Sequence, residues 1–281
     1  MDGISTFTRS TWSIAVYTWR EGIRKKTLVG FLILSLLVIF GASFMSAFLD
    51  PATIGDVESD MDFKLIKDIC VTTISIFGVL IAIFISASVV PNEVENRVIY
   101  TILSKPVQRF QYLLGKFIGV QLIVIVNLLL MGFLFVTALY VRQPDVFPTL
   151  MIWSIILTYF EFLVVSALTF ALSTTSTSAV LPTIGGLFIY ITGNLTEYLQ
   201  DVSNRSGQSG EMLDNLIGYI AKGLYYTLPN LQDFSLKMHI LTQPLNSPPT
   251  DVLIPRLILL SLLYCVSGFM IAFIIFRRKE F

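Results

Sequence analysis

PNEVENRVIYTILSKPVQRFQYLLGKF, residues 91–117, is the stretch on which the reading of this chain turns. It opens on one proline, breaks at another, and carries Glu93, Glu95, Arg97, Lys105, Arg109 and Lys116. Its polarity is that of a soluble helix. The flanking segments, 69–90 and 117–140, are instead almost wholly apolar. Each is long enough to cross a bilayer, which takes about 20 apolar residues in a helix. A polar stretch between two such runs is a loop at one face of a membrane bundle.

The composition extends that reading to the whole chain. Of 281 residues 54% are hydrophobic and 14% charged, against about a quarter charged in soluble domains. Mean hydropathy is +0.77. Apolar windows fall at 28–49, 69–90, 117–140, 150–172, 179–195 and 257–276. They predict an all-α membrane protein with six spans in a single transmembrane domain, 1–281. The fifth window is interrupted by Pro182, Gly185, Gly186 and Gly193. The first is too long for a signal-peptide core and 27 residues precede it. Cys70 and Cys265 lie in or beside spans and form no disulfide framework or metal-ligand spacing.

The zero net charge conceals a sidedness. Residues 1–27, 91–116, 173–178 and 277–281 together hold 12 Lys or Arg against 5 Asp or Glu. Residues 50–68, 141–149 and 196–256 hold 7 against 13. Cytoplasmic loops retain Lys and Arg, so the first set is expected inside, with both termini in the cytoplasm. The 91–116 loop is then cytoplasmic and 196–256 is an extracytoplasmic loop.

Two cytoplasmic helices are expected. In residues 9–26 the helical period gathers Trp12, Val16, Trp19 and Ile23 into one stripe, with Glu21, Arg24 and Lys25 opposite. That pattern suits a helix lying in the membrane interface, in contact with lipid. In the loop, Asn92 is placed to cap a helix and Glu95 to reach back to it. Glu93 and Glu95 suit the positive end of that helix. Pro106 breaks it. The chain then restarts as the lead-in to the third span, with Arg109 and Lys116 expected to snorkel to headgroup depth.

The sequence I-Y-T-I-L-S-K-P-V-Q-R-F-Q-Y-L-L-G-K-F following an acidic residue resembles the corresponding loop of type-2 ABC transporter permeases. The matching positions are Glu93 or Glu95, Leu103, Ser104-Lys105-Pro106, Arg109 and Gly115-Lys116. The layout of spans, the interfacial helix and the long last outer loop extend the likeness. The resemblance implies an exporter-like fold in the cytoplasmic (plasma) membrane and a permease subunit of an ATP-driven transporter. Glu93, Glu95, Arg97, Tyr100, Leu103, Lys105, Pro106 and Arg109 would form a coupling helix seated on a separate ABC ATP-binding subunit. A second permease half, identical or not, would complete a dimer. ATP and Mg would reside on the ATPase, since this chain lacks G-x-x-x-x-G-K-[ST] and Gly115-Lys116 has no glycine five residues upstream. No bound cofactor, metal or nucleic acid is expected on this chain.

Within the windows Glu161 is the sole charged side chain. A charged acid at mid-bilayer costs about 2.5–3.5 kcal/mol on insertion scales. It is either a gate, pathway or proton-linked residue, or a neutral acid hydrogen-bonded to Ser, Thr, Tyr or Asn127 on a neighbour. Pro182, Gly185 and Gly186 either border a substrate route, as the resemblance implies, or serve plain helix packing. In the outer loop, Leu213, Leu216, Ile220 and Leu224 share a helical face, and the lone His239 offers no catalytic dyad. A membrane enzyme lacks a nucleophile–base pair here. A proton-linked carrier lacks a repeat, and a scaffold that binds an ATPase without transporting stays open.

Overall fold

The computed structural model describes residues 2–48, 56–96, 108–142, 149–196, 198, 218–220, 222–223, 225, 229–237 and 254–279. Its helices are α1 (Asp2–Ile23), α2 (Lys26–Phe48), α3 (Asp56–Ser88), α4 (Pro91–Glu95), α5 (Arg109–Arg142), α6 (Thr149–Ser173), α7 (Val180–Asn194) and α8 (Ile254–Arg278). A 3-10 turn occupies Gln232–Phe234. No strand occurs among the described residues. The fold is an all-α membrane bundle, because in lipid a helix satisfies its own backbone donors and acceptors.

The six apolar windows fall in order on α2, α3, α5, α6, α7 and α8. Among the described residues, four helical stretches are long and apolar enough to cross a bilayer: Lys67–Glu95, Arg109–Tyr140, Thr149–Ser173 and Ile254–Arg278. A fifth arises if Phe7–Ile23 and Lys26–Ala42, bent by 65°, act together. α7 differs from expectation. Its 15 residues rise only about 22 Å at 1.5 Å each, short of the roughly 30 Å hydrocarbon layer.

α6 is the central helix. Every residue from Glu161 to Ala167 is buried, as befits a helix surrounded by others. α3, α5, α7 and α8 all pack on it. The approaches are close: a Cβ on Gly268 of α8 would stand 3.1 Å from the Ala167 backbone, and one on Gly78 of α3 would strike the Phe162 ring. Buried hydroxyls are quenched locally, Ser86 on the Ala82 carbonyl, Thr169 on Val165 and Ser173 on Phe170. Such back-bonding leaves few polar atoms seeking partners in an apolar interior.

α1 lies along the first turns of α5. Its buried face is Thr11, Ala15, Thr18 and Gly22, a stripe of small residues at helical spacing. On α5 it meets Gly115 and Gly119, where an added Cβ would come within 2.8 Å of the Thr11 and Ala15 carbonyl oxygens respectively. Spacing of this small-xxx-small kind lets two backbones approach where lipid supplies no hydrophobic drive between helices. The tryptophan stripe sits to one side of that seam. Trp12 (58% exposed) and Ile23 face outward, whereas Trp19 packs partly against the core and Val16 is half-buried. Gly119→Leu is therefore expected to pry α1 from α5. With Cys70 and Cys265 replaced by Ala, an Ala15→Cys probe should resist maleimide in the parent and react in the Gly119→Leu background.

Candidate functional site

α4 starts two residues earlier than the Asn92 cap predicts. Pro91, whose fixed φ suits a first helical turn, opens it after Val90, and no side chain caps it. Asn92 lies inside, its carbonyl accepting from the Asn96 amide at 3.0 Å and from Asn96 Nδ2 at 2.8 Å. The expected capping box between Asn92 and Glu95 is thus replaced. Glu95 is exposed and points away from the bundle.

Glu93 does the opposite. It is 3% exposed, and its carboxylate accepts hydrogen bonds from Lys116 Nζ and Tyr112 Oη of α5. Tyr112 and Lys116 are four residues apart, hence on one face of their helix. Lys116 is wholly buried rather than snorkelling. Its ammonium also lies 5.2 Å from the centroid of the Tyr17 ring of α1, within cation–π range. The Tyr112 ring stacks on Phe276 of α8, centroids 5.6 Å apart. Glu93 therefore joins α4 to α5 instead of offering itself to a partner chain, because the buried ammonium of Lys116 requires a counter-charge.

Arg109, expected in the same partner-facing set, is likewise turned inward. Its Nη1 donates to the carbonyls of Arg277 (2.8 Å), Lys279 (3.0 Å) and, weakly, Phe276 (3.4 Å). These are the orphan acceptors at the end of α8, where the helix dipole favours a cation. Nearby, Lys25 donates to Ser88 Oγ at 2.9 Å, tying the α1–α2 corner to the end of α3. Burial lowers the Lys25 pKa, and the Glu21 carboxylate opposes that shift. Arg97, Tyr100, Leu103, Lys105 and Pro106 lie outside the described residues.

The deeper candidates separate. Glu161 is buried at mid-α6, with the Asn194 side chain at the end of α7 beside its carboxyl. Asn127 does not reach it, donating instead to the Ile123 carbonyl of its own helix at 2.8 Å. Pro182 is buried, and Gly185 and Gly186 seat α7 against its neighbours. A Cβ on Gly185 would strike Leu172, and one on Gly186 would strike Thr169 and Ile83. Asn194, in the Asn-Leu-Thr glycosylation pattern, donates its side-chain amide to the Tyr190 carbonyl at 3.1 Å. A cross-helix bond absent from the sequence reading joins Gln121 Nε2 to Ser166 Oγ at 2.8 Å. An amide inside the third apolar window was its signal.

At the far end of α7 the segment 229–237 is seated on the bundle. Leu231, Phe234 and Leu236 are buried, and the Leu231 amide donates to the Gly193 carbonyl at 3.0 Å. Lys237 reaches α3, pairing with Asp68 at 2.7 Å and Thr72 at 2.8 Å. Of the amphipathic outer face, Ile220 is helical and exposed, while Leu213, Leu216 and Leu224 lie outside the described residues, as does His239. No group of three His, Cys, Asp or Glu side chains able to hold a metal occurs among the described residues.

Two measurements test this geometry. Stranding a buried charge costs about 3–5 kcal/mol, whereas replacing both partners is far milder. Lys116→Met should therefore lower the melting temperature in detergent strongly, and Glu93→Gln added to it should recover much of the loss. Glu161→Gln keeps a polar side chain of nearly the same shape in a buried site, so its melting temperature should match the parent.

A comparison with curated proteins found no match. A family model described as "ABC-2 family transporter protein" matches residues 12–281, from the first tryptophan of α1 to the last residue of the chain. The match runs through the α1–α5 seam, the Glu93–Lys116 junction and every apolar helix, so the chain belongs to the ABC-2 transporter family and is one of its membrane permease components.

Proposed function

We propose that this chain is the permease subunit of an ATP-driven exporter in the plasma membrane, coupling ATP hydrolysis on a separate ABC ATP-binding chain to movement of a substrate across the bilayer. The observation that carries the reading is the platform at one end of the bundle. There α4 follows directly on an apolar helix, is fastened to the start of α5, and leaves Glu95 and Asn96 exposed. The ends of α1 and α8 meet α5 at the same place, through the glycine seam and Arg109. Arg20, Arg24 and Lys26 around the α1–α2 corner and Arg277 and Arg278 at the end of α8 are exposed. Their sign supports a cytoplasmic position for this end and for both termini.

Energy would come from the partner. Lys116 of the Gly-Lys fragment is committed to Glu93 and so is not free to meet a phosphate. The bound nucleotide and its Mg would belong to the ATPase. α1, with Trp12 and Ile23 outward beside Arg20 and Arg24, would ride in the lipid interface. A second permease copy would pack on the outer face of α7. There Leu181, Ile184, Phe188, Ile191 and Leu195 are exposed at alternating spacings of three and four, the pattern of a helix–helix seam.

The test is biochemical. The tagged chain, extracted gently from its own membranes, should bring down a P-loop ATPase identified by mass spectrometry, and the complex should hydrolyse ATP. Glu95→Lys should weaken that recovery at least several-fold while leaving the permease in the membrane. Undiminished recovery and hydrolysis with Glu95→Lys would remove α4 from the docking surface. Absence of any ATPase from the parent preparation would remove the function.

A further inference from the structure

We infer that the buried Glu93–Lys116 pair is the linkage that makes α5 follow α4 during the transport cycle, with Glu93, Lys116 and Tyr112 as positioning residues; this rests on the reading that an ATPase seats on the α4 loop. α4 has five residues and no side-chain cap. Helices shorter than roughly 12–15 residues are marginal on their own, so the attitude of α4 is set by what holds it. One hold is covalent, the Val89-Val90 turn from α3. Another is the Glu93 carboxylate, clasped by Lys116 and Tyr112, with Val94 packed against the core beside it.

These two holds lead to different helices. A displacement of α4 passed back along the chain reaches α3. Passed through Glu93 it reaches α5, and with α5 the elements fastened to the same turns. α1 is carried by the Gly115–Gly119 seam and by the Tyr17 ring beside the Lys116 ammonium. α8 is carried by the Tyr112–Phe276 stack and by Arg109 on its terminal carbonyls. The pair thus converts a hinge into a block of α1, α4, α5 and α8.

The chemistry suits a linkage better than a stabiliser. An apolar pair of equal volume would hold α4 at less desolvation cost, but it would allow sliding. A charge-assisted contact with two donors on one carboxylate is short and directional. Moving Glu93 off its site exposes Lys116 to an interior with no other acidic group bonded to it among the described residues. The junction therefore stays closed under load.

The experiment uses the permease–ATPase complex in nanodiscs, with Cys70 and Cys265 replaced by Ala. Spin labels are placed at Asn96→Cys on α4 and Leu129→Cys on the exposed face of α5. In the parent the label distance should be the same in the nucleotide-free and vanadate-trapped states. With Glu93→Gln it should shift or broaden by several ångströms on trapping, and ATP hydrolysis should lose its dependence on the permease. Tyr112→Phe, which keeps the ion pair and removes one bond, should show a smaller change and decides the matter if Glu93→Gln does not fold. The exchange Glu93→Lys with Lys116→Glu should restore the constant distance. A parent distance that itself changes on trapping, or Glu93→Gln and Tyr112→Phe distances that do not, would overturn the linkage while leaving the transporter reading intact. A parent preparation without an ATPase would overturn both.

Discussion

A lysine ammonium and a glutamate carboxylate, both shut away from water, organise one end of this protein. Either charge alone in that place would be costly, so each dictates where the other must be. Lys116 fixes the direction in which Glu93 points, Glu93 fixes α4, and α4 fixes where the polar loop leaves the bundle. Tyr112 and Tyr17 complete the shell with a hydroxyl and a π face. The result is a braced corner where α1, α4, α5 and α8 meet.

The rest of the assembly obeys a different constraint. Between helices in lipid there is no water to expel, and association depends on close packing and on the few polar bonds that cross between helices. Gly115 and Gly119 bring α1 onto α5, Gly186 brings α7 onto α6 and α3, and Gly268 brings α8 onto α6. Gln121–Ser166 adds a polar tie at α5–α6. The glycine pair of α7 lets that helix lie close against Leu172, Thr169 and Ile83. Glu161 is buried beside Asn194, where the short helix stops.

That short helix shapes the opposite end. Because α7 stops at Asn194, the chain there is continued by other residues, and the seated segment 229–237 packs over Gly193. The Lys237–Asp68 bridge holds it to α3 while remaining partly open to solvent. Exposed pairs of this kind contribute at most about 1 kcal/mol. Among the described residues, one end carries a buried ion pair and the other a small apolar plug and an exposed bridge.

The amino-acid sequence determined the class, the helices and their order. Uninterrupted apolar runs in a hydrogen-bond-poor solvent have few alternatives to the helix, and each of the six windows became one. It also showed that the stretch after the second run is polar and enters a helix at Pro91. The tertiary structure decided which way individual side chains turn. Glu93, Arg109 and Lys116 read from sequence as exposed charges. All three are engaged inside, because a buried ammonium and a helix end full of free carbonyls lay opposite them. On α1 the period revealed a tryptophan stripe, but the buried face is the inconspicuous Thr11–Ala15–Thr18–Gly22 row. Periodicity reports which residues share a face; only the shape and charge of the neighbouring helix decide which face is covered.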